Sequence, residues 1–292
     1  MALTEVKQTF VKPFFDGLTQ PSDAWKGGFD MLTDDVAAMK LASMTGIGRV
    51  PVWDGSSDVD QAFVNDLFNT TLTYTKYALQ VRLNKFEVRD LPRVVADAGT
   101  RLGVSIANTY GSIAADRLAD VFSATTSAGD GKALVADDHP TRSGAVRDNK
   151  MTSAFDRTSY LAAVNLASLW VNYENDEDDW SGDPLCFYGS PSDTTLRETA
   201  FEVFGSAVSS SQMQANAAAQ YRPDEVLWAK LTDSTRWMLL SKLRMPLIFW
   251  VRAGAETNTV IDEDNLSYKI TTSFAIGTAA KPDPAGIIGS DA

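Results

Sequence analysis

The apolar positions of this chain change period several times, and each change marks an element. Val95, Ala98, Leu102, Ile106, Tyr110 and Ile113 recur every three or four residues, and Ala114, Leu118 and Val121 continue the stripe at a slightly rotated angle. This predicts a helix from about Leu91 to Phe122, roughly 48 Å long at about 1.5 Å per residue. Gly99, Gly103 and Gly111 weaken it by roughly 1 kcal/mol each relative to Ala, so it bends there or packs closely against something. Just upstream, Asn84-Lys85-Phe86-Glu87 has capping-box spacing and implies a helix start. Leu161, Val164, Ala167 and Val171 share one face of a helix from about Asp156 to Tyr173. Leu196, Ala200 and Val203 do the same for Ser190 to Phe204.

Elsewhere the pattern is that of strands. Ile47 to Trp53 precedes the turn Asp54-Gly55-Ser56-Ser57, and Thr70 to Leu83 is rich in Thr, Tyr, Val and Leu, with Leu79, Val81 and Leu83 alternating with Gln80 and Arg82. Two polar-faced strands joined across residues 54 to 69 predict either an extended hairpin projecting from a body or one packed on its own domain. Pro184 to Tyr188 reads as a short buried strand. Near the C-terminus, Arg236 to Leu240, Pro246 to Arg252 and Leu266 to Ile276 are β-rich runs broken by polar turns, among them Asp262-Glu263-Asp264-Asn265. The last run sets Leu266, Tyr268 and Ile270 on one face. Residues 1 to 42 scatter Phe10, Phe14, Phe15, Trp25 and Phe29 among Pro13, Gly17, Pro21, Gly27 and Gly28. This suits an arm lying across another surface, or an ordinary N-terminal strand and helix, and Asp34 to Ala42 is compatible with a short helix. Ser123 to Lys150 reads as loops, and residues 205 to 222 as a polar, alanine-rich stretch.

Composition narrows the class. With 292 residues, 44% apolar and 10% aromatic, the chain supports one large domain or two subdomains with a real core. Lys242, Arg244 and Pro246 interrupt the most apolar segment, and the N-terminus lacks a basic-plus-apolar leader, so neither a membrane span nor a cleaved signal is expected. The balance of 26 basic against 38 acidic side chains, net −12, disfavours a sequence-independent grip on phosphates, which needs clustered Lys and Arg. A container for nucleic acid would not need one.

Candidate chemistry is sparse. The single histidine, His139, precludes a two-His metal site or a His relay built within one chain. With Asp137 and Asp138 it has the makings of a cation site, but contiguous residues do not converge on one ion, and a loop-surface role is the expectation. The six carboxylates from Glu174 to Asp183 lack the spacing and central Gly of an EF-hand loop; a solvated turn is expected, with weak calcium binding at a subunit contact as the alternative. Cys186, the only cysteine, sits in the apolar run Leu185-Cys186-Phe187-Tyr188 and is expected to be a small buried hydrophobe. Gly99-x-x-x-Gly103 lies inside a helix without a following Lys-Ser or Lys-Thr, so it is no phosphate cradle. No catalytic, cofactor-binding or metal-binding residue is assigned.

The order of elements from residue 43 onward, the segment Ala136-Asp137-Asp138-His139-Pro140 and the terminal strands with their acidic turn resemble the Mu-like major head subunits of tailed phages. The resemblance implies an α+β phage major capsid fold of the Hong Kong 97 type. Its parts would be an N-terminal arm (1–42), an extended β-hairpin or E-loop with its return (43–90), a long spine helix with part of the peripheral domain (91–150), an axial domain (151–222), and C-terminal strands completing both domains (223–292). It implies a structural protein of the virion, assembled in the host cytoplasm. Hexamers and pentamers would form an icosahedral shell around double-stranded DNA, with portal and scaffold proteins and a possible decoration protein as partners. Arg49, Trp53, Lys76 and Arg82 on the hairpin, and Phe10, Phe14 and Trp25 on the arm, are the expected subunit-contact residues. The alternatives are an encapsulin-like nanocompartment shell and, from another class, an acidic metal-dependent enzyme.

Overall fold

The computed structural model describes residues 3–21, 24–44, 66–91, 93–174, 176–190, 192–205, 218, 221–228, 235–263 and 265–291. Its centre is the helix predicted from the 3.6-residue stripe. That helix, α3, spans Arg93–Ala119, 27 residues, and a 3₁₀ turn continues it over Asp120–Phe122. A short α2 (Lys85–Asp90) precedes it, and the Asn84 side chain caps that helix by accepting from the Phe86 amide.

The N-terminal segment folds onto α3. Helix α1 (Leu3–Thr19) continues through Pro13, which the sequence had marked as a breaker. A Pro in a helix interior costs about 3 kcal/mol, and the burial of Val6, Phe10 and Phe14 offsets it. The two helices approach closely enough that a Cβ on Gly99 would lie 2.7 Å from the Phe10 carbonyl oxygen, and one on Gly103 would lie 2.2 Å from that of Phe14. The glycines on α3 are thus the floor of a helix-helix groove, and the close-packing option read from them is the one the fold uses.

Two sheets flank this pair. The first has the order β1-β11-β12-β4, where β1 is Phe29–Thr33, β4 Thr75–Asn84, β11 Leu247–Asp262 and β12 Ser267–Ala280. The β11–β12 hairpin carries register shifts between Val251 and Glu256. Tyr268, Ile270, Phe274 and Ile276 face α1 and α3 in the larger core. Leu266 does not join that face. It lies in the turn with φ 49° and is 47% exposed, because the chain must reverse there before the alternation begins.

The second sheet has the order β7-β13-β10-β8-β9, formed by Lys150–Met151, Ile287–Ser290, Trp237–Ser241, Leu185–Gly189 and Glu225–Trp228. Its middle strands are buried on both faces, which accounts for their unbroken apolar runs. Cys186, Tyr188, Met238 and Leu240 face the larger core. Leu185, Phe187, Trp237 and Leu239 face a second core built on α4 (Arg157–Ser168) and α5 (Thr194–Gly205). Phe155 anchors that second core, 4.7 Å from Phe187 and 5.2 Å from Trp237 between ring centroids.

A separate two-stranded ribbon pairs β2 (Met39–Met44) with β3 (Asp66–Leu72), antiparallel. This corrects two expectations. Residues 39–44 form a strand instead of a helix, because Met39 to Ser43 find partners in Phe68 to Leu72. The run Thr70 to Leu83 is two strands, interrupted at Thr73 and Tyr74, so that β3 belongs to the ribbon and β4 to the first sheet. Finally, β5 (His139–Pro140) and β6 (Val146–Arg147) make a small hairpin beside the second sheet.

Candidate assembly surfaces and a buried polar junction

The ribbon leaves the body where its two legs are clasped by one strand. On the incoming leg, Trp250 Nε1 donates to the Asp34 carbonyl at 3.0 Å and Arg252 Nε to the Asp35 carbonyl at 3.2 Å. On the outgoing leg, the Arg252 guanidinium stacks over the Tyr74 ring at 4.1 Å, and Trp250 meets the same ring edge-on at 6.0 Å. The backbone is held as well, since a Cβ on Gly277 would fall 2.4 Å from the Thr73 carbonyl oxygen. Nearer the strands, Phe68 packs edge-on against Tyr173 and over the backbone of Gly129. The ribbon therefore has a defined root on β11, β12 and the loops after α3.

The residues expected at subunit contacts fall into four groups. Phe10 and Phe14 are fully buried, stacked 5.9 Å apart against α3, so they serve the chain's own core and offer no surface to a neighbour in this fold. That revises their expected role, and the physical cause is the glycine groove that admits α1. Trp25 is partly buried on Phe249, at 4.6 Å, and its carbonyl accepts from the Tyr188 hydroxyl at 2.7 Å. Lys76 and Arg82 are exposed on β4, the edge strand of the first sheet, and not on the ribbon. Arg49 and Trp53 lie outside the described residues.

The edge strand pairs with β12 in unbroken register from Asn84 to Thr75, and its other edge has no partner among the described residues. Nothing on it is acidic, while the whole chain is strongly so. An open strand edge presents unpaired backbone groups as a template for association, and basic side chains on it discriminate against all but an acidic partner. Near its end, Phe86 and Leu91 are 57% and 60% exposed.

The loops after α3 hold a polar junction that sequence reasoning placed at the surface. His139 is fully buried, and its Nδ1 donates to Asp130 Oδ2 at 2.7 Å. Burial by itself raises the Asp130 carboxyl, but the hydrogen bonds from His139 and the Lys132 amide, with the charges of His139 and Arg147, hold it below its ordinary value. Asn149, also fully buried, ties this loop together by accepting from the Ala136 amide and donating to the Leu134 carbonyl. A loop can bury such groups only because each finds a partner. No sequence signal marked this, since Asp130 lies nine residues upstream of His139 in a Gly-rich stretch.

The acidic run is likewise not a simple solvated turn. Arg244 forks onto both oxygens of Asp178 at 2.6 and 2.9 Å and reaches Asp183 at 3.4 Å, while Arg142 holds Glu174 at 2.9 Å. Asp179 caps its own turn by accepting from Ser181. Among the described residues no three His, Cys, Asp or Glu side chains are grouped to hold a metal. Burial pushes the Cys186 thiol up to about 12.

Arg147 completes the junction. Its side chain is 2% exposed and lies 5.4 Å over the Trp170 ring, in a cavity of about 200 Å³ shared with Ser43 and Phe68 of the ribbon and with Asn172, Tyr173 and Asp283. Burial lowers its guanidinium below the usual arginine value.

No protein-family model matches the chain, and no curated protein matches it in sequence. Solved structures do match along nearly its whole length. A virus-like particle from Pyrococcus furiosus is 11% identical, with TM-score 0.57 over 97% of this chain and 98% of that one. The mature capsid of bacteriophage PhiM1 is 12% identical, with TM-score 0.56 over 91% and 86%. The capsid of Ralstonia phage GP4 is 10% identical, with TM-score 0.54 over 90% and 87%. The chain has the α+β fold of these shell proteins. Among the described residues no helix is long and apolar enough to cross a membrane.

Proposed function

We propose that this chain is the major capsid protein of a tailed phage, self-assembling through hexamers and pentamers into an icosahedral shell around double-stranded DNA. The observation that carries the reading is the fold match with capsid and virus-like-particle structures over nearly the whole chain, 97% of it for one and 91% for another. Within that fold, the Mu-like head subunits are the group its Asp137-Asp138-His139-Pro140 segment and acidic terminal turn resemble.

In this reading the ribbon and the β4 edge are the parts that meet neighbouring copies. Lys76 and Arg82 would face carboxylates of an adjacent subunit, with Trp25, Arg49 and Trp53 at further contacts. Weak contacts repeated at every copy add up to a stable container. A net charge of −12 suits a shell that confines DNA without gripping it. Portal and scaffold proteins, with a decoration protein as a further candidate partner, would complete the particle in the host cytoplasm.

Electron microscopy of the purified full-length protein tests the proposal. Closed, uniform shells are expected, and a protein that stays monomeric at high concentration refutes it. A shell for protein cargo is the second reading: the match to a virus-like particle, TM-score 0.57, is level with that to the PhiM1 capsid, 0.56, so the fold favours no one kind of content. Nucleic acid inside native particles favours the first reading, and a cargo protein the second.

A further inference from the structure

The Arg147 guanidinium is buried and only loosely paired. Its Nε is buried with no hydrogen-bond partner among the described residues. Nη2 reaches the Pro140 carbonyl only at 3.3 Å and Nη1 the Val171 carbonyl at 3.5 Å, both long for bonds from a charged donor. The nearest carboxylate, Asp283, stands at 3.9 Å, is about half exposed, and already accepts from the Ala285 amide at 3.1 Å. The other acidic wall of the cavity, Asp178, has both oxygens taken by Arg244. A guanidinium whose side chain is 2% exposed, with one long ion pair to a half-exposed carboxylate and an unpartnered Nε, is under-compensated, and a planar donor fork selects a two-oxygen acceptor.

From this geometry we infer that the cavity at the ribbon root is a receiving site for one small oxyanion, a carboxylate or phosphate group, bound through the Arg147 fork. The volume of about 200 Å³ admits such a group, or several waters in its place. The Ser43 hydroxyl already accepts from the Phe68 amide, so its own proton is free to donate into the same space. Because Ser43 and Phe68 belong to the ribbon and Arg147 to the body, an anion bound there ties the two together.

The oxyanion has two possible sources, free phosphate or a carboxylate side chain of a second copy; only the latter rests on the shell reading. The first arm of the test is thermal unfolding of the full-length protein in phosphate against chloride at equal ionic strength. Phosphate is expected to raise the melting temperature by a few degrees for each tenfold rise above its dissociation constant, and the gain should vanish in Arg147→Gln. The second arm is a high-resolution map of the wild-type protein, in phosphate and as assembled particles, which requires no variant to fold. Density for phosphate, or for a second copy's carboxylate, within hydrogen-bond distance of Arg147 Nε supports the inference and identifies the source. It is overturned if that position holds only water in both maps, or if the phosphate gain survives in Arg147→Gln. Failure of the protein to assemble would sink the shell reading and leave the phosphate arm intact.

Discussion

Two glycine substitutions on one helix should have opposite consequences. A methyl at Gly103 would lie 2.2 Å from the Phe14 carbonyl oxygen, 2.8 Å from the Leu18 nitrogen and 3.0 Å from the Gly17 carbonyl carbon. All three are backbone atoms of α1, so no side-chain rotation relieves the clash. To restore contact near 3.4 Å, α1 must recede by about 1 Å, which weakens the packing of Phe10 and Phe14 along its length. A methyl at Gly111 meets only the Trp25 ring, at 3.7 and 3.8 Å, which is ordinary contact.

Both Gly→Ala changes gain the same helix propensity, about 1 kcal/mol, and the same reduction in unfolded-chain entropy. Their difference therefore isolates the close approach of the helices, for which overpacking of this kind costs about 1–3 kcal/mol. We expect Gly111→Ala to be neutral or stabilising and Gly103→Ala to be less stable than it by that margin, read from urea midpoints of the unassembled subunit. Hydrogen exchange should show lost protection in residues 3–19 of Gly103→Ala and none in Gly111→Ala. Equal stabilities for the two variants would refute the groove argument, and with it the assignment of Phe10 and Phe14 to the chain's own core.

Several other outcomes follow from the geometry. Lys76→Glu combined with Arg82→Glu should reduce the yield of shells while moving subunit stability by less than about 0.5 kcal/mol, since both side chains are exposed; normal shells would remove β4 from the contact surface. Trp250→Phe deletes the bond to the Asp34 carbonyl, costing about 1 kcal/mol besides the space the smaller ring leaves at this buried position, and should speed exchange in the ribbon, residues 39–44 and 66–72, ahead of the first sheet. The Asp130 carboxyl is held below its ordinary value, so its contribution to stability is complete above the normal carboxylate range and disappears as pH falls through the lower folded value. Urea midpoints of His139→Gln should then fall less steeply with acid than wild type between about pH 5 and about pH 2, and parallel curves would contradict the pairing. A thiol raised to about 12 and fully buried should resist alkylation at neutral pH until the protein is unfolded, so rapid labelling of native Cys186 would show the strand to be open.

What the sequence disclosed and what it concealed divide along one line, between order within an element and contact between distant elements. Helix α3 was legible because an apolar stripe over 27 residues has no competing period, and β8 and β10 because runs buried on both faces are apolar throughout. Helix α1 was obscured because Pro13 is a local penalty, while its remedy lies in Gly99 and Gly103, far along the chain. The break at Thr73 and Tyr74 is set by Trp250, Arg252 and Gly277, so the run Thr70 to Leu83 looked like one strand and placed Lys76 and Arg82 on the ribbon instead of the sheet edge. His139 and Arg147 were hidden for the same reason. Directly opposite each other in the β5–β6 hairpin, they depend on Asp130 in one direction and on Trp170 and Asp283 in the other. The glycine pair is the instructive exception: its spacing did signal close approach, yet spacing alone cannot name the partner, and only the register of Phe10 on Gly99 and Phe14 on Gly103 turns a possible bend into a binding groove for the chain's own first helix.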